Sequence, residues 1–281
     1  MVGRIPTRAA RLLAALFAAG TLLAVAAGAA GATGTVIYNN IASPLPGNVA
    51  SQAFEATQTS EWGGQIETAG PTPDTTKVSV AMSSWACESG GAEDGSCKSA
   101  AGAKFAWPVT LHIYTVGTGN AVGTQIAGLT RTFKMPYRPS ANVKCTGEHL
   151  GGWVNRGICY HGKLFKITFT LVGVTIPSHA IVSVSYNTSD YGVAPTHCTG
   201  MDACPYDALN VGAMEGAPTV GKDPQPESAY VNSTWSGAYC DAGLSGMGAF
   251  RYDPPLPGKC APGYDGIVAE GLQPGFEVTT G

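Results

Sequence analysis

The sequence has little charge, and this shortage excludes several classes of protein. Only 12% of its 281 residues are Asp, Glu, Lys or Arg. A coiled coil or a long helical bundle needs charged heptads and few glycines, whereas this chain has 38 glycines. Lys and Arg number 16 against 19 Asp and Glu, so the basic surplus typical of nucleic-acid-binding proteins is missing. The chain is nevertheless 44% hydrophobic, which excludes classical disorder.

Familiar catalytic motifs are missing as well. The chain has neither the H-E-x-x-H pattern of zinc peptidases nor the G-x-S-x-G turn of α/β-hydrolases, and Gly243–Gly246 is one residue short of the second. His112 alternates with apolar neighbours, which predicts a surface histidine on the polar face of a strand. We therefore favour a protein that is not an enzyme, and we predict no cofactor.

What the chain does contain is alternation of apolar and polar residues. The clearest runs are Lys77–Ser83, Leu164–Leu171 and Ile181–Thr188. A period of two residues predicts strands with one face on a core and the other on solvent. Weaker runs lie at Gln52–Thr57 and Gln65–Ala69, and the polar stretch Gln58–Ser60 between them looks like a turn.

These short runs, separated by turns rich in Gly, Pro, Asn and Asp, predict an all-β fold. We expect an antiparallel β-sandwich of the jelly-roll type, with loops stapled by disulfides. The chain has no Pro/Ser-rich linker of the interdomain kind, so residues 34–281 are predicted to form a single domain. Two smaller sandwiches are the alternative.

The amino terminus has the layout of a secretory signal peptide. A basic head is followed by an apolar run from Leu12 to Ala27 and then by small residues. This pattern predicts a signal peptide over residues 1–29, with cleavage somewhere in 27–32. An uncleaved membrane anchor is the alternative, but the run is short for a span, which needs roughly 20 residues.

Cleavage would change the charge of the protein. Loss of the three arginines of the head would leave 13 basic and 19 acidic residues, a net charge of −6. A mildly acidic, weakly charged surface argues against binding to nucleic acid or to membranes. We expect a secreted, extracellular monomer that has no membrane contact after cleavage.

All eight cysteines follow the predicted signal peptide, and an even number in an exported protein indicates disulfides. Each neighbouring pair lies in a segment rich in Gly, Pro or Asp, which favours local bridges. The predicted pairs are Cys87–Cys97, Cys145–Cys159, Cys198–Cys204 and Cys240–Cys260. A zinc site, the alternative, would need closer cysteine spacings.

Several segments together resemble a family of uncharacterised exported bacterial proteins. The first is Asn48–Gln65, which reads NVASQAFEATQTSEWGGQ. Later segments are PVTLHIYTVG, MPYRPSA, VSYNTSDYG, YDALNVG and AYVNS. The resemblance covers nearly all of the chain after the predicted signal peptide. It implies a β-sandwich and a bacterial source, and it implies no catalytic residue.

Four residues are candidates for ligand binding. Trp62 and Trp153 lie beside turns or cysteine loops, where rings can stack on sugars, although packing at the ends of the sandwich is the alternative. Glu55 and Glu61 lie in the first resemblance segment and could supply polar contacts or act as catalytic carboxylates.

A structural calcium ion is a further possibility, because sandwich domains can hold Ca²⁺ through carboxylates and carbonyls. The candidate ligands are Glu55, Glu61, Asp241 and Asp253, but no D-x-D-x-D-G loop is present.

Three functions remain open from the sequence. The first is a secreted sandwich that binds a glycan or a cell-envelope polymer, as its long loops and aromatic residues suggest. The second is a polysaccharide hydrolase or lyase that uses Glu55 or Glu61. The third is a structural exoprotein without a small-molecule site.

Overall fold

Strands account for most of the regular structure. The computed structural model describes residues 34–200, 203–226, 228–233, 249–254 and 272–281, and in these residues it shows fifteen strands and three short 3-10 helices. The strands are β1 (Val36–Asn39), β2 (Ser51–Ala53), β3 (Thr59–Glu67), β4 (Thr75–Ser84), β5 (Lys104–Val116), β6 (Val122–Pro136), β7 (Trp153–Asn155), β8 (Ile158–Tyr160), β9 (Lys163–Val172), β10 (His179–Ser185), β11 (Leu209–Met214), β12 (Ala229–Ser233), β13 (Arg251–Asp253), β14 (Gln273–Pro274) and β15 (Phe276–Thr280). The 3-10 helices are η1 (Thr118–Asn120), η2 (Gly147–His149) and η3 (Pro205–Ala208).

These strands form two large antiparallel sheets and one hairpin. The six-stranded sheet has the order β13-β12-β3-β10-β5-β6. The seven-stranded sheet has the order β1-β15-β4-β11-β14, with β2 paired to β11 and β9 paired to β4. Strands β7 and β8 pair only with each other among the described residues. The predicted all-β antiparallel sandwich is confirmed.

The strand pairs are nested around a single turn. The β5–β6 hairpin is innermost, and β4 with β9, β3 with β10 and β1 with β15 pair outward from it. Successive pairs alternate between the two sheets. A long hairpin wrapped in this way is a jelly roll. Strands β11 and β12 lie between β10 and β15 in the sequence. Strand β11 pairs with β4 in the seven-stranded sheet, and β12 pairs with β3 in the six-stranded sheet.

One hydrophobic core lies between the two large sheets. Phe133 on β6 meets Phe169 on β9 edge to face, with ring centroids 4.9 Å apart, so the contact joins the two sheets. Fully buried residues of both sheets surround it, among them Val78, Val80, Ile66, Leu111, Ile113 and Val182. The same alternation that buries these residues directs their sequence neighbours outward.

The predicted turn at Gln58–Ser60 is wrong in its position. The turn covers residues 54–58, and β3 already begins at Thr59. Gly63 and Gly64 lower the intrinsic strand preference of this segment. Pairing on both sides, with β10 and with β12, overrides that preference. As a result, Glu61 and Trp62 lie within a central strand rather than beside a turn.

Three of the predicted disulfides are confirmed. Cys87–Cys97, Cys145–Cys159 and Cys198–Cys204 close local loops. The predicted Cys240–Cys260 bridge and the predicted signal peptide lie outside the described residues. The three bridges indicate an oxidising compartment. In the described ranges from Gly34 onward, no helix is long and apolar enough to span a bilayer.

A fully buried arginine joins two of the disulfide loops. Arg138 is 0% exposed and donates to Pro139 O at 3.1 Å, Ala92 O at 2.7 Å and Gly151 O at 2.5 Å. Ala92 lies in the Cys87–Cys97 loop and Gly151 in the Cys145–Cys159 loop. Burial lowers the pKa of Arg138 to about 10, so the guanidinium is still charged at neutral pH.

Candidate functional site

A polar cluster lies at the centre of the outer face of the six-stranded sheet. On β3, Trp62 points into the core, so period-two alternation directs Glu61 and Gly63 to the opposite face. The register places Ser183 of β10 opposite Gly63, and His112 of β5 opposite Ser183. Three central strands therefore present polar side chains to the same area.

Glu61 is the centre of this cluster. Its Oε1 atom accepts hydrogen bonds from Ser183 Oγ at 2.5 Å, Tyr114 OH at 2.9 Å and His112 Nδ1 at 3.0 Å. The Glu61 side chain is only 11% exposed, so these donors replace most of its hydration. We call Glu61, His112, Tyr114 and Ser183 the Glu61 cluster.

Gly63 allows the strands to approach each other closely at this point. A Cβ at Gly63 would lie 2.6 Å from Ser183 Cβ and 2.6 Å from Val182 O, both far inside normal contact. Any side chain at this position would therefore displace Ser183, which donates a hydrogen bond to Glu61. The glycine that weakens the strand signal in the sequence thus makes room for the cluster.

The charge of Glu61 determines the state of its neighbours. A carboxylate can only accept hydrogen bonds, so His112 must carry a proton on Nδ1, and in the neutral ring Nε2 is then an acceptor. Burial and the adjacent charge of Glu61 raise the pKa of Tyr114 above its usual range, so its hydroxyl remains a donor.

A ladder of aromatic rings continues from the cluster across the sheet. Tyr114 lies 5.4 Å from Phe250 between ring centroids, Phe250 lies 6.1 Å from Tyr230, and Tyr230 lies 5.3 Å from Tyr252. The rings are tilted against one another by 32° to 51°. Phe250 and Tyr252 are partly exposed. The outer face therefore combines a fixed carboxylate with adjacent ring surfaces.

Glu55 does not join this cluster. It lies in the turn before β3, where its Oε2 accepts a hydrogen bond from the backbone N–H of Asp190 at 3.3 Å. Partial burial, with Asp207 and Asp190 nearby, raises its pKa, while hydrogen bonds from Thr188 and Asp190 oppose that rise. Glu55 and Glu61, which lie in one segment of the sequence, therefore have different surroundings in the structure.

Trp62, a predicted ligand-binding residue, lies in the core and not beside a turn. Trp62 is 2% exposed and belongs to the core cluster, opposite Val184 on β10 and Val231 on β12. Its ring is covered by the second sheet, because it lies on the inward face of β3. The carboxylate before it in the sequence faces the solvent side instead.

Trp153 remains a candidate at a separate place. It lies on the β7–β8 hairpin inside the Cys145–Cys159 loop, and its ring centroid is 5.9 Å from that of Tyr160 on the paired strand. Its indole N–H donates to Gly162 O at 2.7 Å, which fixes the ring. Both rings are half-buried, and no described contact connects them with the Glu61 cluster.

The calcium prediction finds no ligand set in the described part of the chain. No group of three or more His, Cys, Asp or Glu side chains there is arranged to hold a metal ion. Glu61 is engaged with the cluster and Glu55 with the Asp190 backbone. Asp253 is buried on β13, and Asp241 lies outside the described residues.

His112, Tyr114 and Ser183 are site residues that sequence reasoning missed. His112 does lie on the polar face of its strand, but it is hydrogen-bonded to Glu61 and its side chain is only 18% exposed. The segment PVTLHIYTVG, singled out for its resemblance, contains both His112 and Tyr114, which is the signal that could have found them. No protein-family model, curated protein or solved structure matches this chain.

Proposed function

We propose that the protein is exported and binds a glycan or a cell-envelope polymer with the outer face of its six-stranded sheet. One observation carries this proposal: Glu61 is held on one oxygen by three donors, in the middle of a sheet face, next to partly exposed rings. Rings that stack on sugar faces and a fixed acceptor for hydroxyl groups are the usual elements of a glycan site.

Export is supported by two features that do not depend on the site. The amino terminus has the three parts of a signal peptide, and three disulfides require an oxidising compartment to form and persist. A polymer of the cell envelope or its surroundings is therefore a ligand that the protein would meet.

The test is a binding comparison between two variants on the same strand. Glu61→Gln keeps the size of the side chain and removes its charge. Glu67→Gln is the matched control, because Glu67 lies on the same face of β3 but pairs with Lys222 and His179. We expect a glycan array and an envelope pull-down to show binding by the native protein and by Glu67→Gln, and at least about tenfold weaker binding by Glu61→Gln. Blank results for the native protein in both assays would refute the proposal.

A second candidate function is polysaccharide cleavage at the same place. It is favoured by His112, whose Nδ1 is held by Glu61 so that Nε2 is the basic atom, and whose side chain is partly exposed. We expect any such activity to disappear in His112→Gln. Full activity in that variant, or in the double variant Glu55→Gln/Glu61→Gln, would remove these residues from the mechanism.

A further inference from the structure

The Glu61 cluster contains a carboxylate with which no lysine or arginine of the described residues forms an ion pair. Its three donors are a serine hydroxyl, a phenol and Nδ1 of His112, and the histidine is a cationic partner only when its ring is protonated. The ion pairs that lysines form in the described ranges lie elsewhere, between Lys166 and Glu277 and between Lys222 and Glu67. A carboxylate that is largely removed from water in this way attracts a positive group strongly.

The hydrogen bonds also leave one oxygen available. All three bonds end on Oε1, so Oε2 receives no donor from the cluster. Because a carboxylate oxygen can only accept, the group that completes the site must be a donor. Sugar hydroxyls and ammonium groups both qualify, whereas the carboxylate of a uronic acid would be repelled.

The neighbouring aromatic rings favour an ammonium group over a sugar hydroxyl as the donor to Glu61. The hydroxyl of Tyr114 donates to Glu61, and the ring of Tyr114 lies 5.4 Å from that of Phe250 between centroids, with both rings partly exposed. The faces of aromatic rings attract cations, most strongly where water is excluded. An ammonium donor to a carboxylate also forms a charge-assisted hydrogen bond, roughly twice as strong as a neutral one.

We infer that the ligand of this face carries ammonium groups, and that a polymer of amino sugars with free amines is its chemical class. This inference rests on the proposed function, because it names the ligand of the same site. Glu61 Oε2 accepts the ammonium group, and the partly exposed rings of Tyr114 and Phe250 pack against the sugar ring.

The experiment compares two hexasaccharides that differ in whether their amino groups are free or acetylated. Isothermal titration at neutral pH would use the hexamer of glucosamine and the hexamer of N-acetylglucosamine with the native protein, Glu61→Gln and Glu67→Gln. We expect the native protein and Glu67→Gln to bind the glucosamine hexamer at least about tenfold more tightly. Glu61→Gln should bind the two hexamers equally.

The outcomes separate this inference from the proposed function. Equal affinity of the native protein for both hexamers overturns the inference and leaves glycan binding standing. Binding of neither hexamer, together with a positive glycan array, also overturns the inference alone. Blank results in both the array and the envelope pull-down overturn the inference and the proposed function together. The inference is also overturned if Glu61→Gln still prefers the glucosamine hexamer, or if the native protein binds hexalysine as tightly as the glucosamine hexamer.

A second variant tests the rings without touching the carboxylate. Phe250→Leu keeps an apolar side chain but removes the ring that lies between Tyr114 and Tyr230. We expect the glucosamine hexamer to bind several-fold more weakly, because cation–π contacts at partly exposed sites are modest. Unchanged affinity would show that the ladder takes no part in binding.

Discussion

Arg138 and Glu61 are both buried charges, but the protein holds them in opposite ways. Arg138 donates to three backbone carbonyls from separate segments and is completely covered. Glu61 is held by three side chains from neighbouring strands, and all three bind one of its two oxygens. The hydrogen bonds of Arg138 join loops of the fold, whereas Oε2 of Glu61 receives no donor from the cluster. The difference separates a charge that serves the fold from one that can serve a ligand.

The largest effect should come from removing the first charge. Arg138→Met leaves Pro139 O and Gly151 O without this donor, while Ala92 O still lies 3.3 Å from His161 Nδ1. Each buried unsatisfied group costs about 1–3 kcal/mol. We expect the free energy of unfolding to fall by about 3 kcal/mol or more, measured by urea titration. Arg131→Met is the control, because Arg131 is exposed on β6 and its loss should change stability by less than about 0.5 kcal/mol. Equal effects of the two variants would contradict the role given to Arg138.

Removing a disulfide beside Arg138 should have the next largest effect. The double variant Cys145→Ser/Cys159→Ser opens the loop that presents Gly151 O to the guanidinium. Local bridges of this kind stabilise by about 2–4 kcal/mol. Combined with Arg138→Met, the loss should be smaller than the sum of the separate losses, because both changes act on one loop. Strict additivity in a thermal unfolding cycle would show that the bridge and the arginine act independently.

Asp223, a half-buried carboxyl group, sharpens the comparison because few hydrogen bonds support it. Its Oδ1 accepts a hydrogen bond from the Gln225 backbone N–H at 2.9 Å, and burial raises its pKa to about 6. A carboxyl group whose pKa is raised on folding stabilises the fold below its ordinary value of 3.8 and loses this contribution as the pH rises through about 6. Glu61, with three donors, has the support that Asp223 lacks.

We therefore expect Asp223→Asn to become more stable than the native protein as the pH rises from about 4 to about 7, by about 1–2 kcal/mol. Urea unfolding at several pH values measures this difference. Asp74→Asn, at an exposed position, should follow the native profile. Parallel profiles for Asp223→Asn and the native protein would be evidence against the shifted titration.

The smallest effect on stability should come from Glu61→Gln, although its effect on binding should be large. The amide oxygen of Gln can still accept hydrogen bonds from the cluster, so we expect a loss of about 1 kcal/mol or less. Thermal unfolding beside the binding titrations would measure both. A loss as large as that for Arg138→Met would place Glu61 among the charges that serve the fold.

The strands were largely predictable from the sequence, and the contacts between distant strands were not. Alternation in Lys77–Ser83 and Leu164–Leu171 predicts β4 and β9 because one face of each packs on the core. The local disulfides were predictable in the same way, since they depend on neighbours in the chain. The core position of Trp62 was not predicted, because the Gly63–Gly64 pair conceals a central strand.

The Glu61 cluster depends on register, which no local pattern specifies. Glu61 and His112 are separated by 51 positions and lie on strands that are not adjacent, with β10 between them. Arg138 likewise meets Ala92 through 46 positions. The segments Asn48–Gln65, PVTLHIYTVG and MPYRPSA, singled out for their resemblance, contain Glu61, His112, Tyr114 and Arg138. The sequence of these segments does not specify how their residues meet.

The nesting of the first and last strands has a mechanical consequence. Thr280 N donates to Thr35 O at 2.9 Å, and Thr35 N donates to Thr280 Oγ1 at 3.0 Å, so the two ends of the sandwich lie side by side. A pulling force applied between them would break the β1–β15 hydrogen bonds one after another, beginning at the chain ends. The sandwich should therefore yield first at this edge, while the Glu61 cluster, on the other sheet, is still intact.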